Sequence, residues 1–300
     1  MLLAFCGTAG CSGDLESWLD SGEEVPPPTT VLDGPGPAPI DDVLLDQGVP
    51  ITVDRVVDGD SLEVLVDGEI IELRLEGYNA PELYAGGVDG EPDRLTCNGT
   101  AAKEGLAALI EAATEPPILL ATDTDRFGRT LGDIATGGQS SVEVLINNGH
   151  GLATGSSSEN RELMKSAADR QIGIWGDQCP KSSVAFRIAD VQNNPDGNDR
   201  YNLVDEWVEV VNDDPVAQSL DGWVLRDDTT GHQFELTGTL QPGATLTVRS
   251  GGDRSDTSLG GSNPTIYLGE SYPVWSNSGE TVILTDPTGA FVDWKFIAPG

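Results

Sequence analysis

The sequence predicts a two-part fold: an α+β unit built on a five-stranded β-barrel of OB type with helices, followed by an all-β sandwich. Three observations carry this prediction. The chain of 300 residues exceeds the usual size of one hydrophobic core. Residues 51–180 alternate strand and helix patterns, whereas residues 182–297 hold only short alternating apolar runs separated by turn residues.

Residues 1–12 precede both units and are interpreted as the remnant of an export signal. The stretch "MLLAFCGTAGC" is apolar, ends in small residues and lacks a basic start. It resembles the end of a bacterial lipoprotein signal, with Thr8 where leucine is usual and Cys11 as the lipid-bearing residue. We therefore expect an extracellular or cell-surface lipoprotein of a bacterium, with membrane anchoring through a lipid on Cys11. Export without lipidation is the alternative.

Residues 13–50 are acidic, rich in proline and poor in core residues. Such a composition cannot bury enough apolar surface to offset the entropy lost on ordering, so it predicts a disordered linker. No apolar run reaches the roughly 20 residues needed to span a bilayer.

The net charge of −34, from 50 acidic and 16 basic residues, restricts the function. It repels nucleic acid and anionic membranes except at a local basic site, which excludes a protein that coats nucleic acid. The same excess of carboxylates also fits adaptation to salty media, where screening over about 8 Å or less weakens the repulsion.

The elements of the first unit follow one another in a regular order. Residues 51–77 hold three alternating runs separated by "DGD" and "DG" turns, which predicts an antiparallel meander. The pattern "GTAAKEGLAALIEAA" predicts a helix with Thr100 as its N-cap. Two strands, "ILLAT" and "TLGDIAT", and two helices, "SVEVLINNG" and "SENRELMKSAADRQIGIW", complete a β-barrel with helical caps.

Three clusters of polar groups stand at strand ends of this unit: "DGD" at 58–60, "RLEGYNAPE" at 74–82 and "DRFGR" at 125–129. Each one has a purely structural interpretation. The first could be a tight turn, the second could hold an ion pair between its arginine and glutamate, and the third could be a hairpin tip. Together they suit the hydrolysis of a phosphodiester.

The chemistry of that reaction assigns a role to each group. Arg74 and Arg129 can contact phosphate oxygens in bidentate fashion. Asp60, the amide oxygen of Asn79 and a backbone carbonyl are donors that suit Ca²⁺. Glu82 can orient or deprotonate the attacking water.

Five segments in order, "VVDGDSLEV", "LRLEGYNAPE", "DRFGRTLGDI", "VEVLINNGHGLA" and "SAADRQIGIWGD", make residues 51–180 resemble the staphylococcal nuclease (thermonuclease) family. The resemblance implies a calcium-dependent nuclease that hydrolyses DNA and RNA to 3′-phosphate ends. By motif position, Asp60 and the carbonyl of Ala80 bind the metal. Arg74 and Arg129 bind phosphate, and Glu82 is the proposed general base.

Asn79 departs from this family, which carries a second metal-binding aspartate at that position. An amide oxygen still binds calcium, but the ligand set loses one negative charge, so we expect weaker calcium binding. An active nuclease is the first hypothesis. The alternative is a catalytically weakened nuclease fold that serves in adhesion or nucleic-acid binding.

Residues 182–297 resemble the lamin tail domain, an immunoglobulin-like sandwich, through segments that include "DEWVEVVN" and "LDGWVLRDDTTGHQFEL". The resemblance implies a binding or targeting module. The sequence identifies no ligand for it and no catalytic constellation within it.

Four cysteines fall into two groups. Cys6 and Cys11 belong to the first 12 residues, which leaves Cys97 and Cys179 as a candidate disulfide in an exported protein. Two unrelated buried thiols are the alternative, and the spacing argues against zinc. Neither histidine lies in a metal-binding or nucleophile motif, so core or surface roles are expected for both.

Overall fold

The computed structural model describes residues 36–85, 94–155, 157–198, 201–228, 232–260, 264–277 and 279–297. All of them belong to one compact unit, residues 34–300. The predicted signal remnant at 1–12, the lipidation site Cys11 and the linker up to residue 35 lie outside the described residues. Among those that are described, no helix is long and apolar enough to cross a membrane.

The four α-helices of the described residues are capped by side chains that accept from backbone N–H groups in the first turn. They are α1 Asp42–Leu45, α2 Cys97–Glu111, α3 Ser141–Asn147 and α4 Ser158–Asp169. The predicted N-cap of α2 was wrong, because Thr96 accepts from Gly99 N and the helix begins at Cys97. Thr100 lies inside the first turn, where its hydroxyl donates to Thr96 O at 2.8 Å.

Eleven strands belong to the described part of the first lobe, residues 36–85, 94–155 and 157–180. They are β1 Val49–Pro50, β2 Thr52–Val56, β3 Ser61–Val66, β4 Glu69–Leu75, β5 Tyr78–Asn79, β6 Tyr84–Ala85, β7 Arg94–Leu95, β8 Ile118–Thr124, β9 Thr130–Thr136, β10 Gln139–Ser140 and β11 Leu152–Ala153. The main sheet has the order β1-β8-β9-β4-β3-β2, with β10 also paired to β9, and among the described residues it does not close into the predicted five-stranded barrel. The predicted meander β2-β3-β4 and the antiparallel pair β8-β9 are confirmed.

The structure differs from the predicted linker over residues 36–50. Ile40 N donates to Gly138 O at 2.8 Å, and Gln139 Nε2 donates to Pro37 O at 3.2 Å. Val49 and Pro50 pair with β8. Backbone hydrogen bonds thus order a segment that has too few apolar residues to build a core of its own.

The second lobe, residues 182–297, is the predicted sandwich. Its strands are β12 Phe186–Gln192, β13 Trp207–Asn212, β14 Gln218–Ser219, β15 Val224–Asp227, β16 Gln233–Glu235, β17 Thr239–Leu240, β18 Thr245–Arg249, β19 Thr265–Tyr267, β20 Glu280–Thr285 and β21 Phe291–Ile297. Two four-stranded sheets, β12-β13-β18-β19 and β16-β15-β20-β21, enclose an apolar core. Short 3₁₀ turns interrupt the chain at Gly173–Trp175, Leu203–Asp205 and Arg254–Asp256.

The outer face of the sheet β16-β15-β20-β21 is covered at β20 and β21 by the first lobe. Alternation along β20 and β21 directs Val282 and Leu284 into the sandwich core and Ile283 to the other side. On that side Trp175, at the end of the first lobe, packs edge-on against Phe291 and Trp294, with ring centroids 5.5 and 5.0 Å apart. The two lobes therefore share part of one hydrophobic core.

Candidate functional site

The candidate site lies at the end of β4, where three chain segments meet. Asp60 precedes β3, Arg74 is the penultimate residue of β4, and Asn79 belongs to the short strand β5. The register β3-β4 pairs Ser61 with Arg74, which brings the guanidinium next to the carboxylate of Asp60. A sheet ladder thus joins groups that are 14 residues apart in sequence.

Arg74 is the centre of the hydrogen-bond network. Its Nη1 donates to Oδ1 of Asp60, and its Nη2 donates to Oδ1 of Asn79 at 2.8 Å. The other oxygen of Asp60 accepts from Ala80 N at 2.9 Å, and Ser61 Oγ donates to Oδ1 at 3.1 Å. The three donors to Asp60, which are Arg74 Nη1, Ser61 Oγ and Ala80 N, hold its carboxylate in a fixed orientation.

Asp60 is almost completely buried, with 3% of its surface exposed. Burial raises the pKa of Asp60 to about 6, and the positive charge of Arg74 and the hydrogen bond from Ala80 N oppose this shift. The carboxylate is therefore an anion that the fold keeps out of water and neutralises with one arginine. A buried oxygen donor of this kind is well suited to a cation.

Two glycines make this approach of segments sterically feasible. A Cβ at Gly59 would lie 2.5 Å from Cβ of Ala80 and 2.7 Å from Cβ of Ala102 in α2. A Cβ at Gly99, in the first turn of α2, would lie 2.2 Å from Glu82 O. Any larger residue at either position would push α2 away from the segment that carries Asn79, Ala80 and Glu82.

Glu82 is held through its backbone, while its side chain is exposed. Its carbonyl oxygen accepts from Thr96 Oγ1 at 2.5 Å, which ties it to the N-terminus of α2.

Cys97, the residue after Thr96, forms a disulfide with Cys179, and the Cα atoms of the two cysteines are 5.7 Å apart. The alternative of two unrelated thiols was therefore wrong.

Arg129 immediately precedes β9, the strand next to β4, and has a different partner. β9 runs parallel to β4 with Leu131 opposite Arg74, so Arg129 precedes that position by two residues. Its Nε donates to Oδ2 of Asp125 at 2.8 Å. Among the described residues it makes no hydrogen bond to Asp60 or Asn79. The structure therefore joins four predicted residues in one network (Asp60, Arg74, Asn79 and Ala80), and Arg129 and Glu82 do not belong to that network.

The "DRFGR" segment forms the hairpin tip between β8 and β9, which was its structural interpretation. Phe127 is 71% exposed at this tip. The guanidinium carbon of Arg126 lies 4.7 Å from its ring centroid, and that of Arg129 lies 5.8 Å away. The tip therefore presents an aromatic face and two cations to solvent in a strongly acidic protein.

The candidate site contains few groups that can bind a metal ion. Among the residues that the structure describes, no group of three His, Cys, Asp or Glu side chains converges closely enough to hold a metal ion. The candidate site offers one carboxylate, of Asp60, and one amide oxygen, of Asn79, which fit a hard cation with a low ligand charge. The resemblance implies the carbonyl of Ala80 as a third donor. At present Arg74 contacts both the carboxylate and the amide, so a cation would have to displace it from them.

Two comparisons relate this chain to known proteins. Residues 180–296 match the family model of the lamin tail domain. The predicted resemblance of the C-terminal lobe is thereby confirmed, and residues 180–296 are called the lamin-tail region below. Protein ParB of Escherichia coli is 26% identical to this chain over 139 residues, an alignment that covers 41% of this chain and 70% of that protein.

The lamin-tail region contributes one residue near the site that sequence reasoning missed. Arg226 of β15 packs its guanidinium over the ring of Phe291, 5.8 Å from the centroid, and its buried Nε has no hydrogen-bond partner among the described residues. Burial lowers the pKa of Arg226, and the charges of Asp227, Glu82 and Asp228 oppose this shift. No local motif marks Arg226, because its relation to Glu82 exists only after the lobes pack.

The two histidines lie in different lobes and have different surroundings. His150 is largely buried beside Gly105 of α2, and burial lowers its pKa to about 4, so it stays neutral at physiological pH. This agrees with the expected core role. His232 lies in the lamin-tail region, where its Nδ1 is 3.1 Å from Oδ2 of Asp227.

Proposed function

We propose that this protein is a secreted or surface-tethered, calcium-dependent nuclease that hydrolyses phosphodiester bonds of DNA or RNA. The observation that carries the proposal is the contact of one guanidinium, on Arg74, with both Asp60 and Asn79. Three residues from separate segments, each with a role implied by the resemblance, meet there. The arrangement is what a phosphate-binding cation next to a metal-binding carboxylate requires.

The fold that we propose for the first lobe is the OB-type barrel. In the order β1-β8-β9-β4-β3-β2 the two edge strands are β1 and β2, and only Ile51 separates them along the chain. One stretch of chain thus borders both ends of the sheet, as in a small barrel whose first strand is shared by its two halves. This arrangement supports the assignment.

Each residue has a role in the proposed reaction. Arg74 and Arg129 neutralise the phosphate oxygens, whose charge grows as phosphorus becomes five-coordinate. Glu82, exposed at the N-terminus of α2, orients the attacking water and accepts its proton. Asp60, Asn79 and the carbonyl of Ala80 would hold Ca²⁺, which when bound supplies positive charge opposite the phosphate.

The hairpin tip supports nucleic acid as the substrate. An exposed aromatic ring flanked by arginines is the arrangement on which unpaired bases stack, and stacking contributes about 1–3 kcal/mol per base. Phe127 between Arg126 and Arg129 is such a platform. Since the rest of the surface is acidic, we expect binding to be confined to this face and to unpaired strands.

The test is hydrolysis of single-stranded DNA and RNA in the presence of Ca²⁺ or EGTA. We expect cleavage with Ca²⁺ and none with EGTA. Arg74→Ala should lower the rate by about two to three orders of magnitude, the usual loss for one charge-stabilising group. Arg55→Ala is the matched control, because Arg55 lies in β2, pairs with Glu63 and is mostly exposed. Absence of calcium-dependent cleavage by the wild type at every salt concentration would contradict the proposal.

A second function is favoured by the same contact. Arg74 donates hydrogen bonds to Oδ1 of Asp60 and to Oδ1 of Asn79. The two oxygen atoms that would bind the metal ion are therefore already bonded to a cation. A protein with this arrangement could bind nucleic acid at the arginines and adhere without cleaving it. Retention of single-stranded DNA without hydrolysis, abolished by Phe127→Ala, would support this alternative over the nuclease.

A further inference from the structure

The lamin-tail region contains a cavity of about 550 Å³ at the open side of the sandwich. It lies between β16, the edge strand of one sheet, and β19, the edge strand of the other. Its lining combines aromatic rings with hydrogen-bonding side chains, and six of these carry the argument: Phe234, Arg254, Thr257, Tyr267, Glu270 and Tyr272. The volume falls in the range of small-molecule sites.

The aromatic rings on the β16 side are supported by the sandwich core. Phe234 contacts Trp275 in that core, with ring centroids 6.1 Å apart. The imidazole of His232 stacks on Phe234 at 6.0 Å and faces Tyr272 at 6.1 Å. Tyr272 is 53% exposed, so this row of rings leads from the core to an aromatic surface that a ligand can reach.

Tyr267 is the second tyrosine of the lining and belongs to β19. Gly252 has a φ of +88°, and a Cβ there would lie 2.3 Å from Cδ1 of Tyr267, so only a glycine lets the ring pack this closely on the chain. The backbone N–H of Tyr267 donates to Thr257 Oγ1 at 3.1 Å. Because Thr257 Oγ1 accepts in this bond, its own proton can still be donated to a ligand.

The polar part of the lining places donors and acceptors side by side. Arg254 donates Nε to Leu268 O at 2.5 Å, and its Nη2 lies 3.4 Å from Oε1 of Glu270. The backbone of Glu270 is held in turn, since its N–H donates to Ser250 O at 2.8 Å. The guanidinium can only donate and the carboxylate can only accept, so the two together suit a ligand whose groups do both.

The charges of the lining favour a neutral ligand. Arg254 and Glu270 offset each other, so neither presents a full charge to an ionic group. A phosphate or carboxylate would also be repelled by a chain of net charge −34. Glu235 is a second carboxylate of the lining, but it is exposed, and salt screens its attraction for a cation. Among the described residues, no three acidic, histidine or cysteine side chains converge to hold a metal ion.

We propose that this cavity binds a neutral saccharide, with the C–H face of one sugar ring against Tyr272. Each sugar hydroxyl both donates and accepts, which matches the adjoining Arg254 and Glu270 and the available proton of Thr257. The exposed tyrosine ring offers an apolar face to the C–H groups of the sugar and needs no charge to do so. This binding is independent of the proposed nuclease site.

The experiment is an NMR titration of the full chain with three neutral hexasaccharides: cellohexaose, maltohexaose and N-acetylated chitohexaose. We expect saturable one-to-one binding of at least one of them, with a dissociation constant in the millimolar range, as befits a small number of contacts. Glucose and N-acetylglucosamine distinguish the source of the ligand. A hexasaccharide that binds at least about tenfold more tightly than its monosaccharide indicates a polysaccharide, and equal affinities indicate a free sugar.

Two non-saccharide probes and salt test the chemistry of the ligand. Hexaethylene glycol is neutral but has ether oxygens along its length, so it should not saturate the site. The peptide acetyl-Thr-Val-Thr-Val-amide, which could pair with the edge strand β16, should bind more weakly than the preferred saccharide. Because the ligand is neutral, its affinity should change less than about twofold when NaCl rises from about 50 to 500 mM.

The decisive variant is Tyr272→Ala, which removes an exposed ring. It should weaken binding of the preferred saccharide about fivefold, the usual effect of one aromatic contact. Tyr201→Ala, also in the lamin-tail region and 85% exposed, should bind as the wild type does. If Tyr272→Ala does not fold, Glu270→Ala tests the polar side of the cavity, and the loss of a charged acceptor should weaken binding about tenfold.

Three results would overturn the proposal. The first is the absence of saturable binding of every saccharide. The second is an affinity that is the same in the wild type and in Tyr272→Ala, or in Glu270→Ala where that variant takes its place. The third is tighter binding of the tetrapeptide than of every saccharide, which would make the cavity a groove for an extended chain.

Discussion

Nη1 of Arg74 donates directly to Oδ1 of Asp60, whose side chain is only 4% exposed. This pair is the electrostatic centre of the first lobe, since each partner neutralises the other within the protein. A buried ion pair contributes little net stability, but the loss of one partner leaves an uncompensated charge. Removing one partner of this pair should therefore destabilise the protein more than removing one partner of an exposed pair.

Arg74→Met should destabilise the protein by about 2 kcal/mol, less than for a fully buried pair because a quarter of the Arg74 side chain is exposed to water. Chemical denaturation at pH 7.5 measures the change. The double variant Asp60→Asn/Arg74→Met should regain most of the loss, because the unpaired carboxylate is gone. Arg55→Met, which breaks an exposed pair with Glu63, should cost less than about 1 kcal/mol. Equal losses for both single variants would contradict this view of the site.

Asn79→Asp should strengthen calcium binding about tenfold, because it restores one negative ligand next to Asp60. Calcium titration followed by calorimetry or thermal shift measures the effect. Asn194→Asp adds the same charge at an exposed position of the lamin-tail region and should leave calcium affinity unchanged. An identical affinity for Asn79→Asp and wild type would remove Asn79 from the proposed ligand set.

Loss of the disulfide Cys97–Cys179 should destabilise the fold by about 4 kcal/mol, because the bridge joins residues separated by 82 positions. The paired variant Cys97→Ser/Cys179→Ser measures this by thermal or urea unfolding. Treatment of the wild type with a reductant should lower its melting temperature to a similar value, and the same treatment should leave the variant unchanged.

Phe291→Ala should cost about 3–4 kcal/mol, although this residue belongs to the lamin-tail region and Trp175 to the first lobe. Because the lobes share a hydrophobic core, the wild type should unfold in one calorimetric transition, and the variant should lower the melting temperature of both lobes together. Phe127→Ala removes an equal side chain from an exposed hairpin tip and should leave stability within about 0.5 kcal/mol of wild type. Two separate transitions in the wild type would disprove the shared core.

Glu280→Gln should stabilise the protein at high pH. The folded pKa of Glu280, about 9, lies above its unfolded value, so the folded state holds the proton more tightly. The stability associated with this group is complete below pH 4.5 and is lost as the pH rises towards 9. We expect the variant to gain on the order of 2 kcal/mol at pH 8 and almost nothing at pH 4.5. Parallel stability curves for wild type and variant between these values would contradict the raised pKa.

Much of the local structure was readable from the residues. Alternation and the "DG" turn predicted the meander β2-β3-β4, and Asp67 and Gly68 indeed adopt positive φ at that turn. The sandwich followed from short alternating runs. The N-cap of α2 was misplaced by four residues, because Thr96 and Thr100 are equally good caps and only the contact of α2 with the Glu82 segment selects the first.

The sequence alone determined the candidate site residues, since the types and spacing of Asp60, Arg74, Asn79 and Glu82 are local facts that need no coordinates. Only the tertiary structure decided their partners. Arg74 bonds to Asp60 and Asn79 because a sheet ladder aligns β3 with β4. Trp175 meets Phe291, and Arg226 comes within the electrostatic influence of Glu82, because an outer sheet face packs on the first lobe. Such contacts depend on long-range packing of apolar surface, which no periodicity within a single segment encodes.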